Sequence, residues 1–124
     1  GQILNKNQIF YRGDSYSNLK NWGFPDFKTL KAHEGKSFIC NNYISTGVSY
    51  QGSFGGEVKW SIKCEAGNNY GAYVNEISEY FNESIEYEFL IKRGAKIKLN
   101  NVSLKNGTTY IDASIIGFSP KKLK

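Results

Sequence analysis

Glu57–Cys64 reads EVKWSIKC. Val58, Trp60, Ile62 and Cys64 fall at every second position, with Lys59, Ser61 and Lys63 between them. Side chains alternate across a strand, so this stretch predicts a half-buried β-strand with its apolar row turned inward. The pattern spreads in both directions. Towards the N-terminus, Ser37–Ser45 (SFICNNYIS) predicts one apolar, aromatic strand, and Ile9–Tyr11 a short one ending at Arg12-Gly13-Asp14. Towards the C-terminus, Ser84–Ile91 and Ala95–Leu99 alternate again, separated by a turn at Arg93-Gly94. Val102–Leu104, Asn106-Gly107 and Tyr110–Phe118 predict a closing hairpin, because Asn-Gly favours the primed turns that hairpins use.

Helix is sparse. Gly23 and Pro25 interrupt Asn18–Leu30, which leaves Asp26–His33 (DFKTLKAH) as the best candidate, with Asp26 as N-cap and Gly35 as stop. Ser49–Gly56 (SYQGSFGG) is too rich in glycine for a good helix. Gly67–Tyr80 is polar and reads as a long connection. The chain therefore predicts a β-rich α+β fold, and its 124 residues predict a single domain spanning 1–124.

Composition narrows the function. Hydrophobic residues make up 40% and charged residues 22%, as in a water-soluble globular domain, and no apolar run reaches membrane-spanning length. No signal peptide is visible at Gly1–Phe10. The net charge of +5, with Lys121, Lys122 and Lys124 after Pro120, favours acidic partners, or is simply a solvated basic tail. Cys40, Cys64 and the single histidine, His33, are too few for a structural zinc site, so no metal is expected. The two thiols can pair only if their strands are neighbours.

Three places carry chemistry. Arg12 ends an apolar strand beside Gly13, where a guanidinium can grip a diphosphate with two parallel hydrogen bonds. Gly13 lets a ligand approach the backbone closely. Ser45-Thr46-Gly47 ends the Ser37 strand with small hydroxyl residues that can orient a neighbouring carboxylate. Glu86-Tyr87-Glu88 places both carboxylates on one strand face, an arrangement that costs stability through like-charge repulsion. Each also has an ordinary reading: a surface arginine, a plain turn, and an edge strand guarded by charge.

Taken in order, Tyr11-Arg12-Gly13, Tyr43-Ile44-Ser45-Thr46-Gly47 and Glu86-Tyr87-Glu88-Phe89-Leu90-Ile91-Lys92-Arg93-Gly94 resemble the Arg–Ser–Glu group of mono-ADP-ribosyltransferases. That group includes cholera-like and actin-modifying toxins. The resemblance spans Phe10–Leu99. It implies two packed mixed or antiparallel sheets that form an NAD-binding cleft. It also implies roles: Arg12 on the NAD+ phosphates, Gly13 seating the nicotinamide amide through its backbone, Ser45 orienting the catalytic Glu88, and Thr46 supporting the cleft. Glu86 then activates the acceptor, and a Glu rather than a Gln there is typical of arginine-modifying members. Phe54 or Tyr50 stacks on the nicotinamide. Tyr80 and Phe81, in the loop before the catalytic strand, read the target. The third position of the Ser-Thr-Ser pattern is Gly47 instead. A diphtheria-type His–Tyr–Glu arrangement fails, because His33 does not stand at a strand end.

The expected activity is transfer of ADP-ribose from NAD+ to an arginine of a target protein such as actin, a GTPase or a translation factor. The rivals are transfer to nucleic acid, hydrolysis of NAD+, and a non-catalytic β-rich binding module. The minimal size is similar to the C-terminal toxin domain of an Rhs-type polymorphic toxin. That analogy implies a secreted or injected effector acting in the target-cell cytoplasm, an acidic cognate immunity protein, and no membrane partner.

Overall fold

The computed structural model describes residues 2–49, 56–77 and 85–119. In chain order these form β1 (Gln2–Ile3), β2 (Gln8–Asp14), α1 (Tyr16–Leu19), a 3-10 turn (Lys20–Trp22), α2 (Phe27–Ala32), β3 (Ser37–Cys40), β4 (Ile44–Gly47), β5 (Val58–Cys64), β6 (Asn69–Ile77), β7 (Ile85–Ile91), β8 (Ala95–Lys105) and β9 (Thr108–Phe118). The strands are hydrogen-bonded in the order β1-β6-β7-β4-β2-β5-β9-β8-β3. Among the described residues only β5 and β9 run parallel, so the sheet is mixed.

The sheet bends back on itself. Tyr70 on β6 and Phe118 on β9 lie five strand spacings apart in the order, about 24 Å in a flat sheet, yet their rings are 6.1 Å apart. Likewise Phe10 on β2 stacks on Phe89 of β7 at 4.1 Å. The half β1-β6-β7-β4 therefore faces the half β2-β5-β9-β8-β3, and the one residue pair Tyr11↔Gly47 joins them. The two packed layers that the resemblance implies are two halves of one continuously bonded sheet.

The core lies between the halves. Val58, Trp60, Ile62 and Cys64 are all buried, as the EVKWSIKC alternation requires, and Lys63 is exposed. Fully burying a side chain such as Ile62, Phe89 or Ile91 contributes roughly 1.5–3 kcal/mol. Leu19 of α1 and Leu30 of α2 join this core. Asp26 caps α2 by accepting from the Thr29 amide at 2.8 Å, and these bonds hold its carboxyl below the usual range. Asn106 (φ 51°) and Gly107 (φ 82°) both adopt positive φ, the requirement of a type I′ turn, and they join β8 to β9 as the Asn-Gly pair predicts.

Three expectations change. The stretch Ser37–Ser45 is two strands: Asn41-Asn42-Tyr43 breaks it, β3 takes the sheet edge beside β8, and β4 crosses to the middle. The expected connection at Gly67–Tyr80 contains β6, a nine-residue strand. Ala95–Leu99 and Val102–Leu104 are one strand, β8, with register shifts at Lys96/Ile97 and Leu99/Asn101. The second shift explains the broken pattern: buried positions run 95, 97, 99 and then 102, because a bulge inserts one residue and moves the alternation to the other phase. Cys40 and Cys64 are free and buried. Their strands, β3 and β5, have β8 and β9 between them.

Candidate active site

The site forms where the two halves meet. On β2, side chains at 10, 12 and 14 share a face. Phe10 is wholly buried, Arg12 is 20% exposed at its side chain and Asp14 only 2%. The Arg12 Nε donates to Asp14 Oδ2 at 3.0 Å, and its Nη1 donates to the Ser45 carbonyl, also at 3.0 Å. The guanidinium carbon stands 5.9 Å from the centre of the Trp22 ring, within cation–π range. The Trp22 indole N–H is itself bonded to Asn42 Oδ1 at 3.3 Å.

Ser45 reaches the other half. In the β4–β7 ladder Ser45 stands opposite Leu90 and Gly47 opposite Glu88. Ser45 and Glu88 are thus diagonal neighbours on one face, within reach of a long side chain. The Ser45 hydroxyl donates to Glu88 Oε2. Ser45 therefore joins the two charged groups: its carbonyl holds Arg12 and its hydroxyl holds Glu88. Thr46 points the opposite way, is buried, and donates to the Phe89 carbonyl at 2.7 Å, which fixes the β4–β7 register. A Cβ added at Gly47 would meet nothing within 4 Å. The face beside Ser45 and Glu88 is open there.

Aromatic packing beneath the site sets its geometry. Phe10, Tyr73 and Phe89 form a trio with centroid separations of 4.1, 4.9 and 6.1 Å. Such pairs add about 0.5–1.5 kcal/mol each beyond area burial. Phe10 is two residues before Arg12 and Phe89 one after Glu88, so the stack ties the strand carrying the cation to the strand carrying the carboxylate. Burial pushes the Tyr73 hydroxyl above its ordinary range. It does the same to the Cys40 thiol, against the pull of the Asn42 carbonyl and the Arg12 charge. A thiol shifted that way is a poor nucleophile.

Of the expected site residues, the structure brings Arg12, Ser45 and Glu88 together, while Thr46 is buried on the opposite face of β4. Gly13 lies beside them in β2, paired with Lys59. Glu86 stands in β7 opposite Glu76, two residues before Glu88, and its side chain lies outside the described residues. Tyr50, Phe54, Tyr80 and Phe81 lie outside them as well. Sequence reasoning missed Asp14, Trp22 and Trp60. The Trp60 indole N–H donates to Asp14 Oδ2 at 3.1 Å, so Arg12 and Trp60 share one carboxylate oxygen. A signal was available: in a strand, Arg12-Gly13-Asp14 sets arginine and aspartate side by side on one face.

Known proteins share this arrangement of strands. A profile of the family described as ADP-ribosyltransferase exoenzyme matches residues 3–116. No curated protein sequence gives a significant match. Among solved structures, C3larvin toxin, an ADP-ribosyltransferase from Paenibacillus larvae, is similar with TM-score 0.71 and 25% identity, covering 94% of this chain and 64% of that one. An ADP-ribosyltransferase from Clostridium botulinum is similar with TM-score 0.73 and 25% identity, covering 92% and 62%. A protein from S. aureus, solved with NAD, shares the fold with TM-score 0.69 at 15% identity, covering 93% and 64%. The chain thus spans under two thirds of the length of each of these three proteins. With the profile running through the Arg12, Ser45 and Glu88 strands, the chain belongs to the ADP-ribosyltransferase exoenzyme family.

Proposed function

We propose that the chain transfers ADP-ribose from NAD+ to an arginine side chain of a target protein. The observation that carries this reading is Ser45, whose carbonyl accepts from Arg12 while its hydroxyl donates to Glu88. That pairing holds an anion-binding group and a carboxylate at a fixed separation, which suits a substrate with a diphosphate at one end and a developing cation at the other. The S. aureus protein solved with NAD shares the fold.

Breaking the nicotinamide–ribose C–N bond sends the electron pair to the departing nicotinamide and leaves positive charge on the ribose, as in glycoside hydrolysis. Glu88, oriented by the Ser45 hydroxyl, stabilises that charge where it develops. Arg12, stacked on Trp22, grips the diphosphate and presents the ribose to Glu88. An acceptor guanidinium nitrogen then bonds to the anomeric carbon and must lose a proton. Glu86 takes that proton, because a protonated arginine is a poor nucleophile. Gly13 seats the nicotinamide amide, Phe54 stacks on its ring, and Tyr80 and Phe81 contact the target. The partners are a target protein and, for a toxin that must be silenced in its producer, an acidic immunity protein matched to the +5 chain. The site of action is the cytoplasm of the target cell.

The test uses labelled NAD+ in a bacterial and a eukaryotic lysate with wild type, Glu88→Ala and Glu86→Ala. Label should enter a discrete protein band with wild type and not with Glu88→Ala. Glu86→Ala should lose transfer and keep part of the NAD+ hydrolysis. Glu88-dependent loss of NAD+ without labelled protein would move the reading to hydrolysis or a nucleic-acid acceptor. Equal loss of transfer and hydrolysis in Glu86→Ala would refute the division of labour.

A further inference from the structure

We infer that Asp14 is the positioning residue for Arg12: it holds the guanidinium in the orientation that grips the diphosphate, and it touches no substrate itself. This rests on the proposed role of Arg12.

The bonding of the Asp14 carboxylate leads there. Oδ2 accepts from Arg12 Nε at 3.0 Å and from Trp60 Nε1 at 3.1 Å. Oδ1 accepts from the Ser15 amide and from Asn18 Nδ2, both at 2.9 Å. Each oxygen thus has two donors, and the side chain is only 2% exposed. A carboxylate satisfied in this way has little capacity left for a ligand hydroxyl or a departing proton. It is also more than an ordinary helix cap, because the N-cap of α1 is Ser15, whose hydroxyl accepts from the Asn18 amide.

The two oxygens do different work. Oδ1 ties β2 to the start of α1. Oδ2 is fixed from the core by the buried Trp60 and offers its remaining direction to Arg12. A long, flexible arginine is thereby clamped at Nε by Asp14 and at Nη1 by the Ser45 carbonyl. Of its five N–H donors, three take no partner among the described residues. Those three, one on Nη1 and two on Nη2, are the donors left for phosphate oxygens. Gly56 is packed against the same residue: a Cβ there would stand 2.7 Å from the Asp14 carbonyl oxygen. Asp14 is thus held from its backbone as well as from its carboxylate.

The experiment compares Asp14→Asn, Asn18→Ala, Trp60→Phe and Arg12→Ala, reading KM and kcat for NAD+ hydrolysis and the dissociation constant of ADP-ribose. Asp14→Asn keeps the shape but turns an N–H donor on donors. It should raise KM and the ADP-ribose constant by about 10- to 100-fold, with kcat changed less than about threefold. Asn18→Ala removes a bond to the same carboxylate on its structural side and should leave both constants within about twofold of wild type. Combined with Arg12→Ala, Asp14→Asn should add no further loss. Equal effects of Asp14→Asn and Asn18→Ala, or a full extra loss on the Arg12→Ala background, would overturn the positioning role. Should Asp14→Asn not fold, Trp60→Phe decides: a several-fold rise in KM supports the role and an unchanged KM refutes it. If Arg12→Ala leaves the ADP-ribose constant unchanged, the diphosphate role of Arg12 fails first. If Arg12→Ala weakens binding and Asp14→Asn does not, only the positioning role fails.

Discussion

Gly71→Ala tests the strand pairing that carries the catalytic glutamate. Gly71 lies in β6 opposite Ile91 of β7 and opposite Gln2 of β1. A Cβ there would overlap the Leu90 carbonyl oxygen and come within 2.9 Å of its carbon and 3.0 Å of the Ile91 Cα. All three are backbone atoms, so no side chain can swing aside, and β6 must retreat by about 1 Å from β7 to reach ordinary contact distance. Overpacking of this kind costs about 1–3 kcal/mol. Loosening the neighbouring ladder bonds and the Lys92 amide to Tyr70 carbonyl bond, 2.8 Å long, adds about 1 kcal/mol for each bond lost. The sum is about 3–5 kcal/mol, a large part of the ~5–15 kcal/mol available to a domain. Urea unfolding should therefore show a midpoint lower by roughly 2 M. The control is Gly117→Ala, whose Cβ meets nothing within 4 Å and whose φ needs no glycine. It should change stability by less than about 1 kcal/mol, and in the stabilising direction if at all. Equal midpoints for the two variants would mean that β6 does not pack on β7 as described, and the placement of Glu88 would fall with it.

Two further predictions concern a buried thiol and the open face of the site. Burial pushes the Cys64 thiol from 9.0 up to about 12. A thiol raised in this way stabilises the fold fully below pH 9 and loses that contribution as pH rises towards the folded value, about 1.4 kcal/mol of it by pH 10. Between pH 8 and pH 10 the unfolding free energy of wild type should thus fall more steeply than that of Cys64→Val, and parallel profiles would count against the shift. Gly47→Ser restores the Ser-Thr-Ser pattern at a position where a Cβ meets open space. It should change stability by less than about 1 kcal/mol and leave NAD+ hydrolysis within about twofold. A large loss of hydrolysis with unchanged stability would show that the substrate needs the space above Gly47.

The β-rich fold and the candidate site residues both left local marks in the sequence. Arg12, Ser45, Thr46 and Glu88 were readable because each is a short local signal at a strand end or on one strand face, and strand period two fixes which way it points. β5 and the β8–β9 turn were readable for the same reason, through EVKWSIKC and Asn106-Gly107. β6 was not, because Asn69–Ile77 (NYGAYVNEI) is polar and glycine-containing and shows no clean apolar alternation. Gly71 lowers its strand propensity and is there because Leu90 approaches too closely for a side chain. The split of Ser37–Ser45 was hidden because periodicity reports that residues are extended and says nothing about which neighbours they pair with. Asp14 was overlooked as a bystander in Arg-Gly-Asp, since its importance rests on Trp60 and Asn18, which only the fold brings to it.

The same pairings explain why the chemistry sits on so short a strand. β4 has only four residues, yet it is the strand at which the halves join, paired with β7 on one side and touching β2 at Tyr11↔Gly47 on the other. A longer shared ladder would hold β2 and β7 about 10 Å apart in one plane. A single residue pair lets the halves turn face to face, which is what allows Phe10 to stack on Phe89. The same turn brings Arg12 of β2 and Glu88 of β7 to opposite sides of Ser45 at the joint. Ser45 is the residue at that joint able to reach both through its own carbonyl and hydroxyl. The hinge of the sheet and the centre of the site are thus one structural feature, and a change that straightens the β2–β4 junction should separate Arg12 from Glu88 before it unfolds either half.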